Sequence, residues 1–449
     1  MDCVALETKA VSLNRRSGLK INQKYLWKFG GVGVSVLGLT VLMASGYQKL
    51  VGGASPTEAI LKASGVQDGN DRQDVLKRPP DHFLPSRPEN LYLGGYPIDQ
   101  PAAATIDSGD TIRIDVISQS GNNSGAADPV TYWGQFGIKP EEVLQDAKDW
   151  WAIRTTKTNY GPHILTGPVY VRGAEPGDMI EIQILDLNPR VNYGINNTSG
   201  NGGVFKSSYP GIRPGDPILD IPPAPPGAIA GIYPNVQQHV YHIGKDQGKD
   251  VALFSDTIHV PLNPFMGVMG VAPATGVFVG STATSPPPAT GVQSSTPPGP
   301  YGGNMDNKLL TIGSTLYLPV FQSGAQFFTG DSHLVQGDGE VSGTAIEHSL
   351  SGLFRFIVHK GKTIQWPRAE NDDYYILMGI DFDLNRAMRI ATLEAVKFLV
   401  EEKGLTQAKA FSLLSVGVDF TVSEVVDNTQ VVSAKIPKAL FIKEKKPKD

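Results

Sequence analysis

Glycine and proline interrupt this chain too often for long helices to dominate its fold. The 449 residues include 50 glycines and 34 prolines, while only 18% are charged. Both residue types are unfavourable inside helices, glycine because of its backbone entropy and proline because it lacks an N–H group. The composition therefore predicts a turn-rich, mainly β protein with a minority of helix.

A unit made of a Gly-Asp turn and a following apolar segment recurs along the chain. It stands at 108–116, 176–185 and 214–219, and in the first two copies apolar and polar residues alternate. This period of two is typical of strands buried on one face. Further strands are predicted at 251–254, 258–262, 315–321, 352–358 and 374–380. The pattern does not distinguish a sandwich from partly closed barrels.

One segment near the end of the chain has helical periodicity. Between 385 and 402 apolar residues recur among charges, and Gly404 is placed to end a helix. A second helix is predicted over 406–415. The expected fold class is thus mainly β with a minor α portion, a sandwich-like or barrel-like β core plus C-terminal helices.

The first fifty residues have the composition of a targeting segment. Residues 29–47 are uncharged and rich in Val, Leu and Gly, and they follow a basic stretch that contains the pair Arg15 and Arg16. This arrangement resembles a twin-arginine export signal or a signal anchor. Cleavage near 44–46 would release the protein, whereas an uncleaved segment would attach it to the membrane. We expect a periplasmic or membrane-anchored protein, with a cytoplasmic location as the alternative.

The remaining chain divides into a linker, one globular domain and a tail. Residues 51–80 have mixed charge and no periodicity, 81–441 form the domain, and 442–449 are basic. Within the domain, 274–300 is a Pro/Ser/Thr-rich insertion. The boundaries follow these changes in composition.

Charge and cysteine content exclude several classes of function. The net charge is −5 and no basic stripe carries interleaved aromatics, so nucleic acid is not an expected partner. The single cysteine, Cys3, precedes the apolar segment. An intramolecular disulfide and a thiol nucleophile in the globular domain are therefore excluded.

Side chains that bind metals or transfer protons are concentrated in one stretch. Asp331, His333, Asp338 and Glu340 lie within ten residues, among glycines that permit tight turns. Ordinary turn chemistry explains any one of them. Their combination predicts a site, to which a second polar turn at 302–307 contributes.

Several blocks of the sequence resemble the acetamidase/formamidase family. They are 165–178, 264–273, 303–307, 315–320, 330–347 and 436–441, in the family's order. The resemblance covers about residues 81–441. One departure is Ser342, where family members commonly have cysteine. The resemblance implies a hydrolase that converts a small linear amide, formamide or acetamide, to ammonia and the carboxylate. We also expect a homo-oligomer.

The residues favour a metal-dependent reaction, because the sequence has no Gly-x-Ser-x-Gly elbow and no recognisable Ser-Lys pair. A divalent cation held by histidine and carboxylates acidifies water and polarises a carbonyl. We predict Asp306, His333 and Glu340 as ligands. Asp338 is an alternate ligand, and Asp331 is either a fourth ligand or the base. Zinc is favoured for a mixed nitrogen and oxygen shell, whereas calcium, magnesium or manganese would suit an oxygen-rich one.

Three further residues are candidates for roles in catalysis or in binding. Glu347 is a candidate proton donor to the leaving nitrogen, as a buried carboxyl can be. Asn304 is a candidate for orienting the substrate, and His163, in a stiff Gly/Pro loop, is a further candidate ligand. Two other functions remain open: hydrolysis of another small amide or carbonyl compound, and amide binding without catalysis.

Overall fold

The structure is a computed structural model that describes residues 74–98, 100–123, 127–198, 202–205, 237–274 and 292–442. All of these residues belong to one unit of internal contacts. The predicted targeting segment, most of the linker, the Gly-Asp unit at 214–219, much of the insertion and the basic tail after 442 lie outside these ranges. Among the described residues, no helix has the length and apolar character needed to span a membrane.

The bounds of 22 strands and four α-helices lie within the described part of the chain. The strands are β1 (His82–Leu84), β2 (Leu91–Leu93), β3 (Gly95–Pro97), β4 (Ala104–Ile106), β5 (Thr111–Asp115), β6 (Ile164–Val171), β7 (Met179–Pro189), β8 (Tyr193–Thr198), β9 (Gln237–Asp246), β10 (Lys249–Ser255), β11 (Ile258–Pro261), β12 (Phe265–Val271), β13 (Val292–Ser294), β14 (Gly302–Asn304), β15 (Thr315–Pro319), β16 (Phe327–His333), β17 (Glu347–His348), β18 (Leu350–His359), β19 (Arg368–Glu370), β20 (Tyr374–Asp381), β21 (Asp419–Asp427) and β22 (Thr429–Pro437). The helices are α1 (Pro129–Gly134), α2 (Gln145–Ile153), α3 (Leu384–Glu401) and α4 (Gln407–Gly417).

These strands form two large sheets and one separate pair. The nine-stranded sheet has the order β1-β5-β18-β7-β15-β19-β20-β22-β21. The eleven-stranded sheet follows β11-β10-β9-β8-β17-β16-β12-β14, with β6 beside β16 and with β2 and β4 beside β6. Strand β13, in the described part of the insertion, pairs with β3. The predicted mainly β fold is confirmed.

The main apolar core receives side chains from both large sheets. The ring centroid of Phe327 on β16 lies 6.2 Å from that of Phe354 and 5.1 Å from that of Phe356. Both partners are on β18. Ile180 and Ile182 on β7 are fully buried in the same cluster. Burying one such side chain contributes about 1.5–3 kcal/mol. The core therefore packs one sheet against the other.

Local sequence patterns predicted most of the framework strands correctly. The Gly-Asp unit at 108–116 contains β5, the unit at 176–185 contains the first part of β7, and the other five predicted strands correspond to β10, β11, β15, β18 and β20. Strand β18 pairs with β7 along its whole length, from Leu350 opposite Pro189 to His359 opposite Met179. This long antiparallel ladder fixes the centre of the nine-stranded sheet.

The two C-terminal helices are confirmed, and their caps explain where they begin. The Asp383 side chain accepts from the Arg386 N–H at the start of α3, and Thr406 accepts from the Lys409 N–H at the start of α4. Close packing holds α3 on the sheet, because a Cβ at Gly379 of β20 would lie 2.1 Å from a carbonyl oxygen of α3.

Helices α1 and α2 were missed by the sequence analysis. Helix α1 has a signal that was available, because Asp128 caps its first N–H groups and a proline follows at once. Its six residues are too few to show helical periodicity.

Candidate active site

The predicted site residues Asp331 and His333 lie on β16, in the middle of the eleven-stranded sheet. One edge of β16 pairs with β12, while its other edge pairs first with β6 and then with β17. Asp331 stands where the partner changes, with a left-handed φ of 46°. The prediction that a glycine-hinged turn presents these two residues is therefore wrong, because they belong to a kinked strand.

Asp306 reaches the same point from the loop after β14. Its carboxylate Oδ1 lies 3.7 Å from His333 Nδ1, and its carbonyl oxygen accepts a 2.8 Å hydrogen bond from Gln336 Nε2. Gly267 on β12 makes room for this approach, since a Cβ there would lie 2.3 Å from Asp306 Oδ1 and 2.9 Å from His333 Cε1. Sequence reasoning missed Gly267, because nothing local distinguishes it from other strand glycines.

The opposite nitrogen of the imidazole faces two further carboxylates. His333 Nε2 lies 3.5 Å from Asp331 Oδ1 and 3.3 Å from Glu347 Oε1. The edge of the ring packs against Phe265, with 5.0 Å between ring centroids. Glu347 comes from β17, where it pairs with His333 in the sheet register. The sheet thus brings Glu347 into the cluster, as its predicted role requires.

Gln119 links these two carboxylates and was not predicted. Its Nε2 donates to Asp331 Oδ1 at 2.5 Å and to Glu347 Oε2 at 2.7 Å. The residue lies in the segment that follows β5, after the buried Val116 and Ile117. That position at a strand end was its only sequence signal, and the residue lies more than 200 positions from its partners.

Glu340 and Asp427 extend the cluster. Three groups of residues have ligand atoms within 4.8 Å of one another, and they are Asp306–Asp331–His333, His333–Glu340–Glu347 and Asp306–Glu340–Asp427. The three predicted ligands, Asp306, His333 and Glu340, are the residues that each occur in two groups. Asp427, at the end of β21, could not be associated with them from sequence spacing.

The structure corrects the predicted ligand set at Asp338. Its carboxylate pairs with Lys308 Nζ at 2.9 Å, and its side chain is 34% exposed. It belongs to none of the three groups found among the described residues. A surface carboxylate that already pairs with an ammonium group is not available to the buried cluster.

His163 and Asn304 lie at the margin of the cluster. His163 Nε2 is 3.7 Å from Asp331 Oδ2, and its Nδ1 is 2.9 Å from Ser295 Oγ. It contacts the cluster through Asp331 and stands outside the three groups. Asn304 is buried on β14, opposite Val268. Its role in orienting a substrate stays a prediction.

The cluster contains more acidic side chains than groups that can carry a positive charge. Burial and the neighbouring Glu340 and Asp331 carboxylates raise the pKa of Asp306 well above its ordinary value. Burial and the other cluster acids raise the pKa of Glu340 in the same way. Burial opposes the charged form of His333, but Glu347 and Asp331 outweigh it and raise its pKa well above its ordinary value. Several carboxylates compete here for little positive charge, and a bound cation would relieve their repulsion.

Asp331 and Glu347 respond to this environment in opposite directions. Burial would raise the pKa of Asp331, but the two nearby imidazoles and the Gln119 amide outweigh burial and lower the pKa. Burial raises the pKa of Glu347, with His333 opposing. Two neighbouring carboxyl groups with separated pKa values are suited to act as a base and an acid.

Three acids of the cluster have strained backbones. Asp306, Asp331 and Glu340 have φ values of 37°, 46° and 44°. The left-handed region costs about 1–2 kcal/mol for a residue with a Cβ. Such strain persists where the surrounding structure enforces it, and it is concentrated at functional sites.

The donor atoms fit a divalent cation. Asp306 Oδ1 and both ring nitrogens of His333 are buried without a hydrogen-bond partner in the part of the chain that the structure describes. Leaving such atoms unpaired costs about 1–3 kcal/mol each. One imidazole with several carboxylates is a ligand set that zinc or manganese accepts, and an oxygen-rich subset suits calcium or magnesium.

Comparison with known proteins agrees with this fold. The profile of the Acetamidase/Formamidase family matches residues 141–443. The chain therefore belongs to the acetamidase/formamidase family, and the predicted resemblance is confirmed.

Individual relatives have low sequence identity to this chain but match it over long segments. A formamidase of Methylophilus methylotrophus is 27% identical over 374 residues, which are 73% of this chain and 84% of the relative. An acetamidase of Mycolicibacterium smegmatis is 26% identical over 283 residues, or 54% of this chain. This chain spans 60% of the length of that acetamidase and of a Schizosaccharomyces pombe relative.

A solved structure shows that the fold is shared. The crystal structure of an acetamidase from Yersinia enterocolitica superposes with a TM-score of 0.59 and 24% identity. The superposition covers 82% of this chain and 94% of the other.

Proposed function

We propose that this protein hydrolyses short linear amides, formamide or acetamide, to ammonia and the carboxylate with the help of a bound divalent cation. Membership of the acetamidase/formamidase family supports the reaction class. Relatives named acetamidase and formamidase support the substrate class. The cluster around His333 supplies the chemistry.

One observation carries the proposal. His333 is fully buried, yet neither of its ring nitrogens has a hydrogen-bond partner among the described residues. Each nitrogen instead faces carboxylate oxygens at 3.3–3.7 Å. These distances are longer than ordinary hydrogen bonds. One of the two nitrogens could ligate a cation together with the carboxylates that it faces.

Asp306, His333 and Glu340 would hold the cation. Any two of them share one of the three groups of donors found among the described residues, although no single group contains all three. When bound there, a divalent cation lowers the pKa of water and polarises the carbonyl of the substrate. The residues around it must then position the substrate and move protons.

Asp331 and Glu347 are placed to move those protons. In the reaction, the water oxygen bonds to the carbonyl carbon, the C–N bond breaks, and the nitrogen gains a proton and leaves as ammonia. Asp331 accepts a proton from the attacking water, and Glu347 donates one to the departing nitrogen. Gln119 donates to both carboxylates and fixes their separation.

Ammonia release tests the proposal. The purified protein is assayed with formamide and with acetamide, before and after removal of metal by a chelator, and its metal content is measured by elemental analysis. We expect activity to disappear with the metal and to return on adding one of zinc, manganese, calcium or magnesium. Activity that persists after complete removal of metal would refute the metal-dependent mechanism.

We further propose that the protein acts outside the cytoplasm. The basic flank and the apolar stretch at 29–47 support export or anchoring. Fractionation of cells that express the full chain should recover it from the periplasm or the membrane. Recovery of the mature protein only from the cytosol would contradict this proposal.

A further inference from the structure

A small cavity borders the cluster on the side of β17. Its walls include Ser118 and Asn122 from the segment after β5, the aromatic rings of Trp133 and Tyr193, and Glu347 and His348 of β17. Glu347 belongs both to this wall and to the cluster. A molecule in the cavity would therefore lie beside the proposed proton donor.

His348 presents an unused acceptor at this cavity. Its Nδ1 lies 2.8 Å from the carbonyl oxygen of Tyr193. Because a carbonyl oxygen can only accept, Nδ1 carries the hydrogen, and Nε2 of the neutral ring offers a lone pair. His348 is 1% exposed, and its Nε2 has no hydrogen-bond partner among the described residues.

Asn122 and Gln119 add two acceptors of the same kind. Asn122 Nδ2 donates to the carbonyl oxygen of Ser118 at 2.8 Å, which orients the amide and leaves Oδ1 unpaired among the residues described. The Gln119 amide nitrogen donates to the carboxylates of Asp331 and Glu347. Its Oε1 is also buried without a partner in the described ranges. Gln119 is not part of the cavity wall, but it contacts the wall residue Glu347.

Buried acceptors without partners call for a ligand with several N–H or O–H donors. In the proposed reaction, the –NH2 group of a primary amide carries two N–H donors, and the ammonia that it becomes carries three. The acyl side of the substrate offers only an acceptor, its carbonyl oxygen. The cavity therefore suits the nitrogen end of the substrate.

We propose that the cavity bordered by His348 and Asn122 receives the –NH2 group of a primary amide and then the ammonia that leaves. This inference rests on the proposed function, and it assigns the part of the site that receives the unsubstituted nitrogen of the amide. An ester with the same acyl group lacks the N–H donors and leaves the acceptors unpaired. Sites of this kind discriminate strongly against analogues that lack the hydrogen-bonding group.

His348→Asn tests the inference. An asparagine amide nitrogen can replace Nδ1 and keep the bond to the Tyr193 carbonyl, while the acceptor at the position of Nε2 is lost. We expect kcat/KM for formamide to fall about tenfold or more, with hydrolysis of methyl formate changed less than about twofold. The metal content should equal that of the wild type. His242→Asn, at an exposed histidine of β9, is the matched control and should change neither rate.

His348→Gln provides the second variant, because its longer side chain places an amide oxygen near the position of Nε2. It should restore part of the amide-to-ester preference that His348→Asn loses. An equal loss of formamide and methyl formate hydrolysis in both variants would overturn the inference, since a structural role affects both substrates alike.

A binding measurement separates this inference from the proposed function. Ammonia added at alkaline pH should shift the nitrogen NMR signal of His348 Nε2 in histidine-labelled protein, whether or not the protein turns over amides. An unchanged signal in an active amidase would refute the inference and leave the function intact. A shifted signal in a protein that releases no ammonia from either amide would support ammonia binding in the cavity and refute the function, and with it the amide-binding part of the inference.

Discussion

Buried acids occur in two regions of this molecule, and their surroundings differ. Beside the nine-stranded sheet, two buried acids have cationic or N–H partners. Asp178, directly before β7, accepts from Lys360 Nζ at 2.6 Å and from the Gly361 N–H at 2.8 Å, and Glu394 on α3 lies 3.1 Å from a guanidinium nitrogen of Arg368. In the cluster of the eleven-stranded sheet, Asp306 forms an ion pair only with His333 among the described residues.

The pKa values of these acids show how the difference in partners affects their ionisation. Burial would raise the pKa of Asp178, but hydrogen bonds from Lys360 and from backbone N–H groups outweigh it and lower the pKa. In the cluster, burial and mutual repulsion raise the pKa values of Asp306 and Glu340 well above normal. A paired acid stabilises the fold, whereas a converging set of unpaired acids costs stability and is retained for a ligand.

The largest effect is expected from removing the shared imidazole. His333→Ala should reduce amide hydrolysis by roughly 10³-fold or more and abolish stoichiometric metal binding, because it removes a ligand shared by two of the donor groups. Ammonia release and elemental analysis measure the two effects. His359→Ala, at a histidine that pairs with Glu181 in the other sheet, is the comparison and should retain metal. Wild-type turnover in His333→Ala would show that the cluster is not required for catalysis.

A single added methyl group should disturb the cluster to a smaller extent. Gly267→Ala places a Cβ against Asp306 Oδ1 and His333 Cε1, so we expect activity to fall by about 10- to 100-fold together with metal affinity. Gly337→Ala is the matched control, because no heavy atom lies within 4 Å of a Cβ there. Equal activities of the two variants would show that the space at Gly267 is not required.

Gln119→Glu tests the link between the proposed base and acid. It keeps the shape of the side chain but replaces the donor with another carboxylate beside Asp331 and Glu347. We expect kcat to fall by about 10- to 100-fold, with an altered pH profile and with the fold retained. A pH profile identical to that of the wild type would argue that Gln119 has only a packing role.

The smallest effect concerns the paired acid of the scaffold. Asp178→Asn should lower the free energy of unfolding by about 1–2 kcal/mol without changing activity per folded molecule. The folded-state pKa of Asp178 lies below its unfolded value, so its contribution is present above the unfolded pKa and is lost as pH falls through the folded pKa. Urea unfolding at neutral and acidic pH measures this, and the difference between wild type and variant should shrink in acid.

Local patterns in the sequence determined the secondary structure and most of the chemistry. Alternation of apolar and polar residues predicted β5 and β7, and helical periodicity with Gly404 as a stop predicted α3. Carboxylates and a histidine among glycines marked 330–347 as a site. These features depend on neighbours within a few residues, so a single sequence contains them.

Only the tertiary structure decided which of these groups meet. Sheet order places Gln119 against Asp331 across 212 positions of sequence, brings Asp427 to Glu340, and leaves Asp338 at the surface with Lys308. The physical reason is that convergence depends on which strands become neighbours, and strand pairing is set by burial of the whole core rather than by the residues that it brings together.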